Sequence, residues 1–173
     1  LKKINQGTYA YCSGLKKITI PDSVTQIGYN AFRECIGLSE ISIPKGMSEI
    51  PENMYYGCTG LTSITIPEHI TTIKEGAFDS CTNLQEVKFH DKLSIIENNS
   101  FSNCPLLKSI EIPASVTVVE SQAFAYNDLD SIVVDEGNKN YYSDNSNAII
   151  TVKAMEYLKS GSDWFSHTYS ANE

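Results

Sequence analysis

The stretch LKKITIPDSVTQIGYNAFREC, residues 15–35, decides the fold of this chain, because its pattern returns as LSEISIPKGMSEIPENMYYGC at residues 38–58. The step from Leu15 to Leu38 persists over most of the sequence. The shared pattern reads L-x-x-I-x-I-P-x-x-V-x-x-I-x-x-x-A-F-x-x-C. A fixed period of about 23 residues is typical of proteins built from stacked repeats.

Besides the cysteine, six apolar positions of the repeat keep this step, and each is predicted to form a column in the stacked protein. The leucine column is Leu15, Leu38, Leu61, Leu84, Leu107 and Leu129. The next apolar positions are Ile18, Ile41, Ile64, Val87, Ile110 and Ile132, then Ile20, Ile43, Ile66, Phe89, Ile112 and Val134. After the proline come Val24, Met47, Ile70, Leu93 and Val116, then Ile27, Ile50, Ile73, Ile96 and Val119. The aromatic column is Tyr9, Phe32, Tyr55, Phe78, Phe101 and Phe124.

Each copy predicts one short strand and one return path. In LSEISI, residues 38–43, apolar and polar residues alternate at the end of the segment, which indicates a strand with one buried face. Proline then ends the strand because it has no N–H group to donate. The AFREC segment is too short for a stable helix, so we expect a turn or a 3₁₀ stretch. Strands of successive copies should pair in parallel, with right-handed crossovers.

These motifs resemble the BspA-like type of leucine-rich repeat, with its L-x-x-I-x-I-P, V-T-x-I-G and A-F-x-x-C pieces. The resemblance covers residues 1 to about 134. It implies a curved leucine-rich repeat solenoid, a right-handed parallel β coil with short 3₁₀ or turn returns and a parallel sheet on the concave face. Proteins of this kind occur on the surfaces of gut and oral bacteria and of some mucosal protists, where they are associated with adhesion.

The resemblance implies a non-catalytic, extracellular or cell-surface module that binds a host matrix protein or another microbial surface protein. The alternative is a structural spacer that presents other domains of a larger surface protein. An enzyme is disfavoured because every polar group of interest is either repeated or isolated. The sequence does not specify the oligomeric state.

The cysteines Cys12, Cys35, Cys58, Cys81 and Cys104 should form one structural core column. Neighbouring thiols would lie about 5 Å apart, so an oxidised pair stays possible, but a reduced column of small apolar residues is favoured. Zinc is disfavoured because the spacing lacks C-x₂-C and no histidine follows the column. Catalysis is disfavoured because a nucleophile needs one unique, activated setting.

The polar positions between the buried strand residues are the candidate binding surface, since the concave sheet of leucine-rich repeats commonly contacts partners. The selected residues are Lys16, Lys17, Glu40, Ser42, Thr62, Thr65, Glu86, Lys88, Lys108 and Glu111. This surface has no aromatic residue or arginine, the side chains that carry most interface energy, so each contact should be weak and repetition should supply avidity.

Other residues are weaker candidates. Four tyrosines outside the aromatic column could offer contact area: Tyr11, Tyr29, Tyr56 and Tyr126. Acidic residues that could supply oxygen ligands to Ca²⁺, without the spacing of a known loop, are Asp128, Asp130, Asp135, Glu136 and Asp144. The histidines His69, His90 and His167 are scattered, so no metal site and no cofactor are predicted. Asn98-Asn99-Ser100 is a glycosylation sequon if the source is eukaryotic.

We predict three segments: the repeat array at 1–134, a capping segment at 135–152 and a tail at 153–173. The array starts inside a unit, which favours a piece of a larger surface protein over a first coil covered by Lys2, Lys3 and nearby turns. The tail contains a short helical pattern ended by Gly161, and it either covers the last coil or is partly disordered.

A net charge of −8 disfavours nucleic acid as a partner, and no apolar run is long enough to span a membrane.

Overall fold

The computed structural model of this 173-residue chain describes residues 1–143, 148–151 and 169–170. These residues form a parallel β-solenoid of about six coils, which confirms the predicted stacking of repeats. The described residues contain no α-helix or 3₁₀ helix, and the return segments are turns. No helix among them is long and apolar enough to cross a bilayer. The predicted helix at 153–161, Asp144 and His167 lie outside the described residues.

Each coil contributes to two strand columns, whereas the sequence predicted one strand per copy. Sheet I is formed by the L-x-x-I-x-I segments: an isolated bridge pairs Lys17 with Glu40, β4 (Ser63–Thr65) pairs with β6 (Glu86–Lys88), and β8 (Ser109–Ile112) pairs with β10 (Ser131–Val134). Sheet II is formed by the short segments that precede the aromatic turn of each coil: β1 (Lys3–Ile4), β2 (Gln26–Ile27), β3 (Glu49–Ile50), β5 (Thr72–Ile73), β7 (Ile95–Ile96) and β9 (Val118–Val119). All of these pairings are parallel.

The register of both sheets places the apolar columns side by side. In sheet II, Ile50 pairs with Ile73, and Ile73 pairs with Ile96. In sheet I, Ile64 pairs with Val87, which is the equivalent position of the next repeat. Each strand of sheet II has two residues, and the second is a buried isoleucine or valine. The first residue is polar and exposed in β1, β2 and β3 and half-buried in β5, β7 and β9.

The aromatic residues form a continuous stack through the interior. Ring centroids of Phe32 and Tyr55 lie 5.7 Å apart, those of Tyr55 and Phe78 lie 5.4 Å apart, and those of Phe78 and Phe101 lie 5.2 Å apart, all with nearly parallel planes. These four side chains are completely buried. Offset stacking of aromatic rings adds to the free energy of burying their apolar area.

Two residues in each aromatic turn adopt a left-handed backbone conformation. One set is Gly7, Asn30, Asn53, Gly76, Asn99 and Gln122; the other is Tyr11, Glu34, Gly57, Ser80, Asn103 and Tyr126. This conformation points alternate peptide groups toward the neighbouring coils. In the second aromatic turn, for example, the N–H groups of Asn30, Phe32 and Glu34 donate to carbonyls of the next coil. Glycine and asparagine tolerate a positive φ best, which explains their frequency in the first set.

The buried cysteine thiols form hydrogen bonds between successive coils. The Sγ of Cys58 donates to the Phe32 carbonyl at 3.2 Å, and the Sγ of Cys81 donates to the Tyr55 carbonyl at 3.3 Å. Cys35 and Cys104 make the same contact with the preceding coil. All five cysteines are free thiols.

Cys12 departs from the predicted core column, because it is exposed. It lies in the first coil that the structure describes, whereas the other four thiols each donate to a carbonyl of the preceding coil. The other end of the column holds Asn127, which was not predicted. Its side-chain amide is buried, donates to the Phe101 carbonyl at 2.8 Å and accepts the Cys104 N–H at 2.6 Å.

Two buried side chains that follow β10 form hydrogen bonds with the main chain of residues 113–119. The Asn138 amide donates to the carbonyls of Pro113 and Val116, and the Tyr141 hydroxyl accepts the N–H of Val119 at 2.9 Å. Beyond this point the chain leaves the parallel pattern, as β11 (Tyr141–Ser143), β12 (Ala148–Thr151) and β13 (Tyr169–Ser170) form an antiparallel sheet.

Replacing Ser100 with alanine is expected to stabilise the protein. Its hydroxyl is completely buried without a hydrogen-bond partner among the described residues, and Ala31, Ala77 and Ala123 occupy the same turn position in other coils. A buried, unsatisfied hydroxyl costs about 1–3 kcal/mol. Urea unfolding should therefore show a gain of about 1 kcal/mol for Ser100→Ala. The matched control is Ser102→Ala, which removes a buried hydroxyl that accepts a bond from the Asn103 amide and should be destabilising. Equal losses in both variants would contradict the prediction.

Alkylation should separate Cys12 from the other thiols. Iodoacetamide applied to the folded, reduced protein is expected to modify Cys12 rapidly, because it alone of the five is exposed. Burial raises the pKa of Cys58 and of Cys104 to about 12, which keeps both protonated and unreactive. Mass spectrometry should find one modified cysteine before unfolding and five after it. Rapid modification of Cys58 or Cys104 in the folded protein would refute this arrangement.

The same burial makes stability fall at alkaline pH. The folded-state pKa of Cys58 is about 12 and its ordinary value is 9.0, so between these values the unfolded chain ionises and the folded chain does not. The free energy of unfolding should decrease as the pH rises above the ordinary value, by at most about 1.4 kcal/mol per pH unit for each such thiol. Urea unfolding from about pH 8 to about pH 10 measures this slope. Cys58→Ser keeps a donor but does not titrate in this range, so an unchanged slope in that variant would exclude this thiol as a cause.

Candidate functional site

Sheet I presents the predicted binding residues to solvent with one exception. Exposed positions are Lys16, Lys17, Glu40, Thr62, Thr65, Glu86, Lys88, Lys108 and Glu111. Ser42 is half-buried, and its hydroxyl accepts the N–H of Ile20 at 3.3 Å. This bond links the L-x-x-I-x-I segments of two successive repeats, so we correct the assignment of Ser42 from a surface contact to a link between coils.

The lysines of sheet I are largely neutralised by neighbouring acidic groups. Lys17 forms an ion pair with Glu40, and Lys88 with Glu86 at 3.0 Å. Lys108 lies 3.7 Å from the Asp128 carboxylate and donates to the Asp128 carbonyl at 3.1 Å. Exposed pairs of this kind contribute little to stability. Their effect is to leave the surface with alternating charge and no strong positive patch.

Sheet I is interrupted between β6 and β8, which share no ladder of hydrogen bonds. A cleft of about 480 Å³ lies here. Its acidic lining comes from Glu86, Asp91, Glu111 and Asp135, and Lys88 is its one basic group among the described residues. Its apolar lining is Val87, Phe89, Ile112, Pro113 and Val133. Gln85 and Ser109 complete it.

The cleft coincides with a departure from the repeat. Phe89 and His90 stand where most copies have isoleucine and proline. The Phe89 ring packs edge-on against Phe101, with centroids 5.7 Å apart and planes at 67°. This ring contact occurs at the step where β6 and β8 share no ladder of hydrogen bonds. The Phe-His pair was the available sequence signal for the cleft, although it did not identify Asp91 or Pro113 as lining residues.

The cleft brings together only part of the predicted surface. Glu86, Lys88 and Glu111 line it, whereas Lys16, Lys17, Glu40, Thr62, Thr65 and Lys108 lie outside it. Asp135, considered for a calcium site, also lines the cleft, while Asp128, Asp130 and Glu136 are exposed elsewhere. Within the described residues, no three His, Cys, Asp or Glu side chains are arranged to hold a metal ion.

The remaining candidates are distributed over the surface. Tyr11, Tyr29 and Tyr126 are exposed, and Tyr56 is half-buried with the Arg33 guanidinium 3.7 Å above its ring. His69 and His90 are half-buried, each with a buried Nε2 that lacks a partner among the described residues. The hydroxyl of the sequon residue Ser100 is buried in the core.

Solved structures of bacterial repeat proteins share this fold. The pneumococcal vaccine antigen PcpA matches with a TM-score of 0.66 and 24% identity, over 79% of this chain and 34% of that structure. A leucine-rich cell surface protein from Faecalibacterium prausnitzii matches with a TM-score of 0.64 and 25% identity, over 87% of this chain and 46% of that structure. A leucine-rich repeat protein from Eubacterium ventriosum matches with a TM-score of 0.66 and 29% identity, over 72% of this chain and 34% of that structure.

The chain therefore spans less than half the length of these three structures. No curated protein matches it. The family model for the BspA type leucine-rich repeat region matches residues 2–167 with six copies, which extends past Val134, near which the motifs read from the sequence ended. Together with the parallel coils and the columns of leucine, aromatic residue and cysteine, this match shows that the chain belongs to the BspA-type leucine-rich repeat family.

Proposed function

We propose that this chain is a non-catalytic protein-binding module of a microbial cell surface, in which the coils form a rigid scaffold and sheet I contacts the partner. The family supports the repeat module as a protein-binding scaffold. The Faecalibacterium relative, at 25% identity, is described as a cell surface protein and supports the location. Host matrix proteins and other microbial surface proteins are the partner classes to test first.

The cleft between β6 and β8 is the observation that carries the choice of surface. It adds a concave recess of about 480 Å³ to an otherwise solvated sheet. Its lining combines apolar side chains with four carboxylates against one lysine. An extended protein segment that combines a basic side chain with an apolar one would complement both features.

The thiols support a non-catalytic role. The buried cysteines donate their hydrogen to backbone carbonyls, and burial raises the pKa of Cys81 well above its usual range. A catalytic thiol needs the opposite shift and access to substrate. These groups therefore serve the packing of the coils.

Reversing the charge at Glu111 should weaken partner binding through the cleft. Glu111 is exposed, lines the cleft and forms no ion pair among the described residues. We expect Glu111→Lys to reduce the affinity for immobilised fibronectin or fibrinogen about fivefold at low salt. This change corresponds to a binding free energy of about 1 kcal/mol, the size expected for one exposed ionic contact. Surface plasmon resonance with both matrix proteins measures the change.

Glu52→Lys is the matched control, because Glu52 is exposed in a turn away from the cleft. Equal affinity of the two variants would remove the cleft as the contact surface. Failure of the unmodified chain to bind either matrix protein would favour the structural spacer for this segment.

A further inference from the structure

Three neighbouring turns bring Tyr11, Arg33 and Tyr56 together outside sheet I. The Tyr11 N–H donates to the Arg33 carbonyl at 2.7 Å, and the Glu34 N–H donates to the Tyr56 carbonyl at 2.7 Å. Arg33 and Tyr56 occupy the same turn position in successive repeats. Main-chain bonds between coils therefore fix the spacing of these three side chains, which we call the Tyr–Arg cluster.

The guanidinium is held in place by aromatic side chains. Its central carbon lies 3.7 Å above the centroid of the Tyr56 ring, at a cation–π distance. The phenol groups of Tyr11 and Tyr56 both lie near it. Stacking on a ring orients the plane of the guanidinium and reduces the freedom that a bound group would otherwise remove.

This guanidinium has no ion-pair partner among the described residues, where six of the ten lysines have one. The sequence holds 21 Asp and Glu residues and Arg33 is its one arginine, yet no carboxylate among the described residues lies within ion-pair distance of it. The Glu34 carboxylate lies over the backbone of Gly57 instead. By contrast, these lysines are ion-paired: Lys17, Lys45, Lys74, Lys88, Lys92 and Lys108.

We infer that the Tyr–Arg cluster binds an aspartate or glutamate side chain of a protein partner, with Tyr11 contacting an apolar neighbour of that carboxylate. A guanidinium offers parallel N–H donors that match the two oxygens of a carboxylate. Tyr11 is 68% exposed and offers a rigid ring next to this charge. Tyrosine and arginine are the residue types that anchor protein interfaces, and sheet I has neither.

The overall charge favours a single carboxylate over a polyanion. With a net charge of −8, the chain repels nucleic acids and sulfated polysaccharides over long range. A protein segment carries one acidic group to the cluster and surrounds it with neutral or apolar contacts. The site is distinct from the cleft of sheet I, so it does not depend on the function proposed for that cleft.

The single arginine makes the test direct. In the ¹⁵N-labelled protein, the Nε–Hε resonance of Arg33 is the one arginine side-chain signal of its kind, because the sequence has no other arginine. The probes are two soluble blocked peptides, Ser-Leu-Glu-Phe-Ser and its match Ser-Leu-Gln-Phe-Ser. We expect the glutamate peptide to shift the Arg33 resonance in a saturable manner and the glutamine peptide to bind at least about tenfold more weakly.

The matched variants are Tyr11→Ala and Tyr126→Ala. Tyr126 is exposed at the same turn position of the last coil, where Ala125 occupies the position equivalent to Arg33. Tyr11→Ala should weaken the glutamate peptide about tenfold, and Tyr126→Ala should leave its affinity unchanged. Both residues are exposed, so folding is not at risk, and the unchanged amide spectrum checks it.

Three results would overturn the inference. The first is the absence of any Arg33 shift at millimolar glutamate peptide. The second is an equal shift with the glutamine peptide, because the carboxylate would then be irrelevant. The third is an equal shift with inorganic sulfate at the same concentration, which would make the cluster a general anion contact and not a protein-binding site.

Discussion

The aromatic turn is the contact on which the rest of the structure depends. The N–H of Phe32 donates to the Met54 carbonyl of the next coil at 3.0 Å, while its own carbonyl accepts the N–H of Cys35 and the thiol of Cys58. Its ring stacks between Tyr9 and Tyr55. Phe32 thus finds hydrogen-bond partners for its N–H and carbonyl groups and buries its ring against two neighbouring coils. A single coil would lack these partners, which explains why it could not be stable alone.

The repeat made the interior predictable because equivalent positions have equivalent surroundings. Leucine, isoleucine and aromatic columns could be read directly from their constant spacing. Sheet II was missed because a strand as short as Gln26–Ile27 cannot show alternation. Asn127 was not predicted as a core residue because it is not apolar, although it lies one repeat after Cys104. Its amide N–H donates to a carbonyl of the preceding coil, as the cysteine thiols do, and it is a stronger donor than a thiol.

The surface was less predictable, since exposed side chains are not fixed by packing. From the sequence, lysines such as Lys88 were predicted to be available for a partner. In the structure they form ion pairs with neighbouring carboxylates, which depends on side-chain rotamers that the sequence does not specify. Ser42 was predicted to be a surface residue, but its hydroxyl accepts the N–H of Ile20 one coil away. Phe89 lines the cleft, and its contact with Phe101 depends on the three-dimensional positions of both residues.

A stack of identical coils offers no unique site, so selective binding would have to use a departure from the repeat, such as Phe89, or a variable position, such as Arg33. These two residues lie at different places along the solenoid: the Tyr–Arg cluster spans the first three aromatic turns, and the cleft lies among β6, β8 and β10. Each coil packs only against its neighbours, so a change in one region leaves the other intact. The scaffold therefore holds the cleft and the Tyr–Arg cluster at a fixed separation. A partner that engaged both would gain avidity from that rigidity, even if each contact were weak.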